Sequence, residues 1–286
     1  MPSSGDAAAR LPALLQPLAA EAERSALFLD FDGTLSAVVV DPTGARPLPG
    51  VPALLAELAA AFALVAVISG RPTAFLADVL GAPPGVTLVG LYGLERALQG
   101  PVHDTWAAVI DEVVAEAEAT APEGVYVEPK GLTVTLHFRR APQHKEWVEA
   151  FAARQHATRG LQVHPGRLER ELRPALDVDK GTVVRSLVAE HDEQPGAEPL
   201  RALAAFGDDV GDLPAFAALG ALRAAEGPPR LVVRVAVVDT ESPTAVAAAA
   251  DLSVPGATGA VALLHDLAAA ASDDPADPDE SSAPTT

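Results

Sequence analysis

The sequence predicts an α/β protein built on a doubly wound parallel sheet, with a smaller α+β module of αββαββ order inserted into it. Three observations carry that expectation. Short, near-continuous apolar runs recur along the chain and alternate with helical patterns, as strands buried on both faces of a parallel sheet require. The middle of the chain switches to period-two alternation, the mark of strands with one polar face. Several apolar runs end in Asp, Ser or Gly, which puts polar chemistry at strand ends, where ligands bind in open α/β sheets.

In chain order, residues 11–24 read as a helix leading into a first strand at 26–31. Residues 50–62 read as a helix because Pro52 falls in the first turn, where its missing N–H costs nothing. "ALVAVIS" (63–69) predicts a buried strand, 72–81 a helix and "VTLVGL" (86–91) a third strand. The inserted module begins with a helix over 105–120. "VYVE" (125–128) and "LTVTLHFR" (132–139), joined by Pro-Lys-Gly, read as a hairpin. Its second arm sets Thr133, Thr135, His137 and Arg139 on one face and Leu132, Val134, Leu136 and Phe138 on the other. A helix at about 142–158 is followed by "LQVH" (161–164) and "RLEREL" (167–172), a second hairpin in which Glu169, Glu171 and Arg173 alternate onto one face. "RALAAFG" (201–207) and "LVVRVAVV" (231–238) return to the parallel-sheet pattern. The expected domains are 1–98 and 178–271 as two parts of the core and 99–177 as the insert. A Pro-rich acidic tail at 272–286 has too little apolar surface to fold and is expected to be disordered.

Composition limits the function classes. A chain of 286 residues at 49% hydrophobic fills a sizeable core. With 39 acidic against 20 basic residues the net charge is −19, which makes nucleic acid and anionic membrane surfaces poor partners; an anionic small molecule needs a locally basic site. The absence of cysteine excludes disulfides, thiolate metal sites and cysteine nucleophiles. The N-terminal segment lacks a basic n-region and its apolar run is broken by Pro and Gln, so it does not read as a signal peptide. No apolar stretch of about 18 residues free of charges and breakers predicts a membrane span. A soluble, cytoplasmic monomer is expected. The seven histidines show no paired spacing that would bind zinc, and neither G-x-S-x-G around Ser69 nor a P-loop is present.

The chemistry lies at the ends of the apolar runs. "FLDFDGTL" (28–35) closes the first strand with Asp30 and Asp32. A carboxylate can attack phosphorus, and a second one two residues on can serve as general acid and base. Gly33 lets backbone N–H groups approach an anion, Thr34 adds a hydroxyl donor, and Mg²⁺ between the two carboxylates would offset their repulsion. The run at 63–69 ends in Ser69, Gly70 and Arg71; "DVDKG" presents Lys180 before a helix; the run at 201–207 ends in Asp208, Asp209 and Asp212. Each feature alone also fits a solvated turn or loop. Together they supply a nucleophile pair, a hydroxyl, an ammonium and a metal-binding acid cluster. Only three lysines stand among the basic residues, Lys130, Lys145 and Lys180, and two of them fall at these motif positions, a placement that chance also allows.

In this order "DFDGTL", "SGR", Lys180 and "GDD…D" resemble the four motifs of the haloacid dehalogenase superfamily of phosphotransferases. The resemblance implies a Rossmann-like core with a cap, Asp30 as nucleophile and Asp32 as general acid and base. It further implies Mg²⁺ held by the Asp30 side chain, the Asp32 main-chain carbonyl and Asp208, with Asp209 and Asp212 in support. Ser69 and Lys180 would hold the transferred phosphoryl group, with Gly33, Thr34, Gly70 and Arg71 also at the substrate. In the insert, "EPKGLTVTLHFR" (128–139) and "PGRLERELRP" (165–174), with "GLYGLE" (90–95) before it, are similar to the trehalose-6-phosphate phosphatase family. That similarity implies sugar contacts from Glu128, Lys130, Arg139 and Glu171, with Arg167 near the phosphate. The acid cluster departs from the GDD-x-TDE pattern of the family, with Gly211 and Leu213 in place of Thr and Glu, and Pro129 replaces the more usual Asp between Glu128 and Lys130. The substrate expected is a small sugar phosphate. Phosphatases of sucrose 6-phosphate or a mannosyl-phosphoglycerate, and a non-catalytic sugar-phosphate-binding module, are the alternatives.

Overall fold

The computed structural model describes residues 10–39, 42–166, 168–225, 230–240 and 242–272. The predicted tail at 272–286 lies, Ser272 apart, outside the described residues. No helix among the described residues is long and apolar enough to cross a membrane.

The first helix is shorter than its apolar pattern. α1 covers only Gln16–Ala20, with Pro17 in its first turn, and a 3-10 turn follows at Ala22–Arg24. The continuous helix predicted over 11–24 does not form: Pro12 disfavours helical backbone at Leu11, and the chain leaves the helix at Glu21, where φ is −119° and ψ 44°. β1 (Ser25–Leu29) is buried at every position. α2 (Val51–Ala61) carries Pro52 in its first turn, followed by β2 (Leu64–Ile68) and α3 (Thr73–Leu80). β3 (Val86–Val89) ends two residues before the predicted boundary. Leu91 and Tyr92 sit at positive φ, 47° and 56°, and turn the chain out of the strand direction.

After the short α4 (Leu94–Ala97) the inserted module follows the predicted order: α5 (Pro101–Thr120), β4 (Tyr126–Pro129), β5 (Val134–His137), α6 (Lys145–Arg159), β6 (Gln162–Gly166) and β7 (Glu169–Arg173). The chain returns through α7 (Lys180–Asp192), β8 (Ala202–Gly207), α8 (Leu213–Ala224) and β9 (Leu231–Val238). α9 (Thr244–Ala249), β10 (Leu252–Pro255) and α10 (Gly256–Ala271) complete it; α10 packs on α1 and α2 through a face that includes Leu263, Leu264 and Leu267.

The larger sheet has the order β10-β9-β8-β1-β2-β3. β1 pairs in parallel with both β2 and β8, and β8–β9 and β9–β10 are parallel as well. The chain therefore leaves β1 in one direction through β2 and β3 and later returns on its other side through β8. The carboxyl ends of β1 and β8 flank this switch point, the place where open α/β sheets bind ligands.

The fold divides into two compact units. One holds the described residues up to Val67, Pro83–Thr87 and those from Val184 onward; the other holds Ile68–Ala82 and Leu88–Val183. In the second unit a four-stranded antiparallel sheet, order β4-β5-β7-β6, has two unlike faces. One face is apolar: Val134, Leu136, Phe138 and Leu172 pack against Ile110, Val113 and Ala117 of α5 and Val148, Phe151 and Ala152 of α6. Leu132 departs from its predicted layer. It precedes β5, and it packs with Leu91, Leu94 and Leu98 in a separate cluster, because strand alternation does not extend into the turn. The other face is polar, with Glu128 opposite Thr135, Thr135 opposite Glu171, and Glu171 opposite His164 in one continuous row.

Two outcomes follow from this sheet. Leu136 is completely buried at the centre of the apolar face, so Leu136→Ala is expected to lower stability by about 2–5 kcal/mol in denaturant unfolding. On the polar face, burial and the neighbouring Arg173 charge push His164 down to about 4. The unfolded chain takes up a proton on this ring below its ordinary value while the folded chain does not. Stability is expected to fall as pH drops from about 6.5 towards 4, and His164→Gln is expected to shrink the difference between urea midpoints measured at pH 7 and pH 5.

Candidate active site

Asp30 follows β1 directly. Its N–H donates to the Phe206 carbonyl at 3.1 Å, so pairing with β8 continues one residue past the strand before the chain turns. The turn is tight: the N–H groups of Leu35 and Ser36 both donate to the Phe31 carbonyl at 2.9 Å, and Gly33 donates to the Ser36 carbonyl at 2.8 Å. Gly33 stands at φ 84°, and a Cβ there would lie 2.1 Å from Asp208 Oδ2. Only glycine allows the loop after β1 to touch the carboxylate after β8. Thr34 is fully buried and its hydroxyl has no hydrogen-bond partner among the described residues. Asp32 is half-buried in the same loop.

The turn after β8 closes on Asp212. Its Oδ2 accepts from the N–H groups of Asp208 at 3.0 Å and Asp209 at 3.1 Å, which fixes a carboxylate that is 3% exposed. Carboxylate oxygens of Asp30, Asp208 and Asp212 lie within 4.8 Å of one another. An all-oxygen acidic set of this kind suits a hard divalent cation. Asp209, expected in support of the metal residues, caps the short turn at Val210–Asp212: its exposed carboxylate accepts from the Val210 N–H at 2.7 Å.

The second unit gathers the remaining motif residues. Ser69, 1% exposed, follows β2; its Oγ accepts from the Arg71 N–H at 3.2 Å and its carbonyl from the Tyr92 N–H at 2.9 Å. The Tyr92 ring lies over Gly70, where a Cβ would stand 2.5 Å from the phenol oxygen. Lys180 Nζ and the Arg173 guanidinium each approach the Tyr92 ring, 6.0 Å from its centroid. Lys180 is 4% exposed and is the first residue of α7. Asp179 sets that start: the Thr182 N–H donates to Asp179 Oδ1 at 2.7 Å, and the Asp179 N–H donates to Thr182 Oγ1 at 3.0 Å. The 90–95 segment is tied to α3 through Glu95, which accepts from both the N–H and the hydroxyl of Thr73, while Thr73 Oγ1 accepts from the Gly90 N–H.

The polar face of the antiparallel sheet carries a charge network. Glu128 is flanked by Arg71 at 3.6 Å, Lys130 at 3.5 Å and His137 Nε2 at 2.8 Å. Glu171 accepts from the Thr133 hydroxyl at 2.9 Å and faces Lys130 at 3.7 Å, and Glu169 meets His137 Nδ1 at 3.0 Å. Burial alone would push Glu128 and Glu169 up, but the hydrogen bonds from His137 and the nearby cations hold both below the ordinary carboxylate value. Burial alone would push Lys130 down, and Glu171, Glu128 and Glu169 together hold it above its ordinary value.

The structure thus brings together Asp30, Asp208, Asp212 and Gly33 in one unit, and Ser69, Gly70, Arg71, Glu128, Lys130, Glu171 and Lys180 in the other. Arg139 falls past the end of β5, exposed in a turn and off the polar face. Arg167 lies outside the described residues. Four side chains at these sites were not singled out from sequence as site residues: Tyr92, His137, Glu169 and Arg173. The tyrosine set between glycines in "GLYGLE" and the alternation of 133–137 and 169–173 were the signals that could have found them.

The chain matches the trehalose-phosphatase family over residues 28–251. The trehalose-phosphate phosphatase of Mycobacterium marinum is 38% identical over 219 residues, covering 73% of this chain and 55% of that protein. The Mycobacterium avium protein of the same name is 39% identical over 203 residues, covering 68% of this chain and 51% of its own length. The chain therefore spans about half the length of these curated relatives. Among solved structures, the C-terminal domain of the C. albicans trehalose-6-phosphate phosphatase aligns with a TM-score of 0.70 and 25% identity over 90% of this chain and 96% of that one. A trehalose-6-phosphate phosphatase related protein aligns in fold at a TM-score of 0.67 with 20% identity, over 85% of this chain and 96% of that one. Because the family match begins inside β1 and ends just before β10, it takes in both units, and the chain belongs to the trehalose-phosphatase family.

Proposed function

We propose that this chain is a Mg²⁺-dependent phosphoric monoester hydrolase that converts trehalose 6-phosphate to trehalose and inorganic phosphate. Membership of the family supports the substrate. The observation that carries the chemistry is the crowding of Asp30, Asp208 and Asp212 at the ends of two adjacent parallel strands. Three carboxylates so close favour a cation among them, and the missing Cβ of Gly33 keeps the space beside Asp208 open. On this reading Asp30 and Asp208 would hold Mg²⁺ together with the Asp32 carbonyl, and Asp212 and Asp209 shape the turn that presents Asp208. Once bound, the ion would supply positive charge against the phosphoryl oxygens.

The protein's own groups carry the steps. An Asp30 carboxylate oxygen attacks phosphorus, and the bond from phosphorus to the sugar oxygen breaks. Asp32 gives its proton to the departing sugar oxygen, which leaves trehalose and an aspartyl-phosphate on Asp30. Asp32, now a carboxylate, takes a proton from water; the water oxygen attacks phosphorus and releases phosphate and the Asp30 carboxylate. Ser69 and Lys180 hold the phosphoryl oxygens, with Thr34, Gly33, Gly70 and Arg71 as further donors, as a loose, charge-rich transition state demands. Glu128, Lys130 and Glu171 take the sugar, with Arg167 near the phosphate. Residues 1–98 and 178–271 act as the catalytic core and 99–177 as the sugar-recognition module. The chain works as a cytoplasmic monomer on a soluble sugar phosphate, with neither nucleic acid nor membrane as partner.

Phosphate release from trehalose 6-phosphate, sucrose 6-phosphate, glucose 6-phosphate and an aryl phosphate tests this. Trehalose 6-phosphate is expected to be strongly preferred, with activity lost in EDTA and restored by Mg²⁺; aryl phosphate turnover without trehalose 6-phosphate turnover would overturn the substrate assignment. Asp30→Asn is expected to lower turnover by at least about a thousandfold while leaving the circular dichroism spectrum unchanged. Gly33→Ala forces its new methyl into Asp208, and is expected to raise the Mg²⁺ concentration for half-maximal activity by about tenfold or more.

A further inference from the structure

His137 is the point where the polar face of the antiparallel sheet is joined. Nε2 lies 2.8 Å from Glu128 Oε2 on β4, and Nδ1 lies 3.0 Å from Glu169 Oε2 on β7. A neutral imidazole has one N–H, so it can donate to only one of two carboxylates; an imidazolium donates to both. Tyr126 stacks on the ring, with centroids 5.6 Å apart and planes inclined at 25°. The charged groups facing this ring from the packed elements are Glu128, with Lys130 and Arg71 beyond it, and Glu169, with Glu171 further along β7. His137 is the member of this set whose ordinary titration range is closest to neutral.

The two carboxylates depend on that proton. His137 and Lys130 both lie on the Oε2 side of Glu128, and Arg71 stands 3.6 Å from Oε1, beyond hydrogen-bond reach. Oε1 thus keeps the capacity to accept from a hydroxyl. With His137 neutral, Glu128 or Glu169 loses its donor, and the two half-buried acids repel across the ring. Burial disfavours the imidazolium, yet the hydrogen bonds to Glu128 and Glu169 outweigh it and raise the ring above its ordinary value.

We propose that His137 is a positioning residue for sugar recognition: as an imidazolium it clamps Glu128 and Glu169 in the one arrangement that accepts the sugar hydroxyls, and its deprotonation weakens the hold on the sugar while the phosphoryl-transfer residues keep theirs. This inference rests on the proposed trehalose 6-phosphate reading and adds to it a residue and a pH window. The charge on His137 is held to higher pH than on an ordinary imidazole and is lost as pH rises through its raised folded value.

The test compares kcat and KM for trehalose 6-phosphate with kcat/KM for an aryl phosphate from pH 6 to 9. The ratio of the two kcat/KM values cancels effects on phosphoryl transfer common to both substrates. In the wild type this ratio is expected to fall with rising pH, with the loss in KM. His137→Gln, which has no charge and cannot donate to both carboxylates, is expected to lower the ratio at pH 7 by at least about tenfold and to flatten its pH dependence. Ring-nitrogen NMR of the wild type, with His137 assigned through its contact with Tyr126, is expected to show both nitrogens protonated at pH 6 and one proton lost over the pH range in which the ratio falls. A ring already singly protonated at pH 6 in wild-type enzyme that turns over trehalose 6-phosphate, or a pH-independent ratio, overturns the role of His137 and leaves the substrate reading standing. Aryl phosphate hydrolysis with no turnover of trehalose 6-phosphate overturns both together.

Discussion

Three carboxylates crowded at the ends of β1 and β8 are the constraint around which the first unit is arranged. At separations within 4.8 Å and an effective dielectric of about 20, each pair of charges repels by about 3 kcal/mol or more. The fold accepts this repulsion because backbone geometry leaves little choice. Asp30 is held by a ladder hydrogen bond to Phe206, and the Asp212 carboxylate is held by two N–H groups of the turn that bears Asp208. Gly33 follows from the same constraint, since any side chain at its position would occupy the space of the Asp208 carboxylate. Strand pairing thus concentrates negative charge at one spot, and that is the condition under which a divalent cation binds well.

The second unit solves the opposite problem. Its antiparallel sheet buries one face against α5 and α6 with aliphatic and phenyl side chains, which needs only shape and volume. The reverse face carries Glu128, Glu169 and Glu171 in half-buried to buried positions, and an unpaired acid there would be costly. Each is matched: Glu128 with Arg71, Lys130 and His137, Glu169 with His137, and Glu171 with Lys130 and Thr133. The result is a rigid bed of alternating donors and acceptors, which a hydroxyl-rich ligand needs and a hydrophobic ligand does not.

The core strands and the motif carboxylates were legible because one-dimensional signals determine them. A strand buried on both faces must be apolar throughout, and residues at its carboxyl end are then marked by an abrupt change in chemistry, as at Asp30, Ser69 and Asp208. What could not be read depended on backbone geometry or on pairing across strands. The pattern "VTLVGL" continues past Val89, yet the strand stops where Leu91 and Tyr92 take positive φ, conformations that apolar periodicity does not encode. Alternation set Leu132 and Arg139 on opposite faces of one strand, but β5 covers only Val134–His137, so neither belongs to it. The double engagement of His137 follows from register: Tyr126 and Glu169 stand opposite it on β4 and β7, and Glu128 reaches it from two residues along. No single strand's sequence contains that information.

The three lysines show how the two solutions differ from ordinary surface chemistry. Lys145 is exposed and faces Glu149 one turn along α6, an arrangement in which arginine would serve as well. Lys180 is nearly inaccessible, against the face of Tyr92 at the start of a capped helix, and Lys130 lies between Glu128 and Glu171. Both positions suit a compact ammonium, which carries its three donors on one atom, whereas a guanidinium spreads its donors over a planar fork. A chain of net charge −19 thus keeps a few cations at fixed, buried positions, where their charge is least diluted by water.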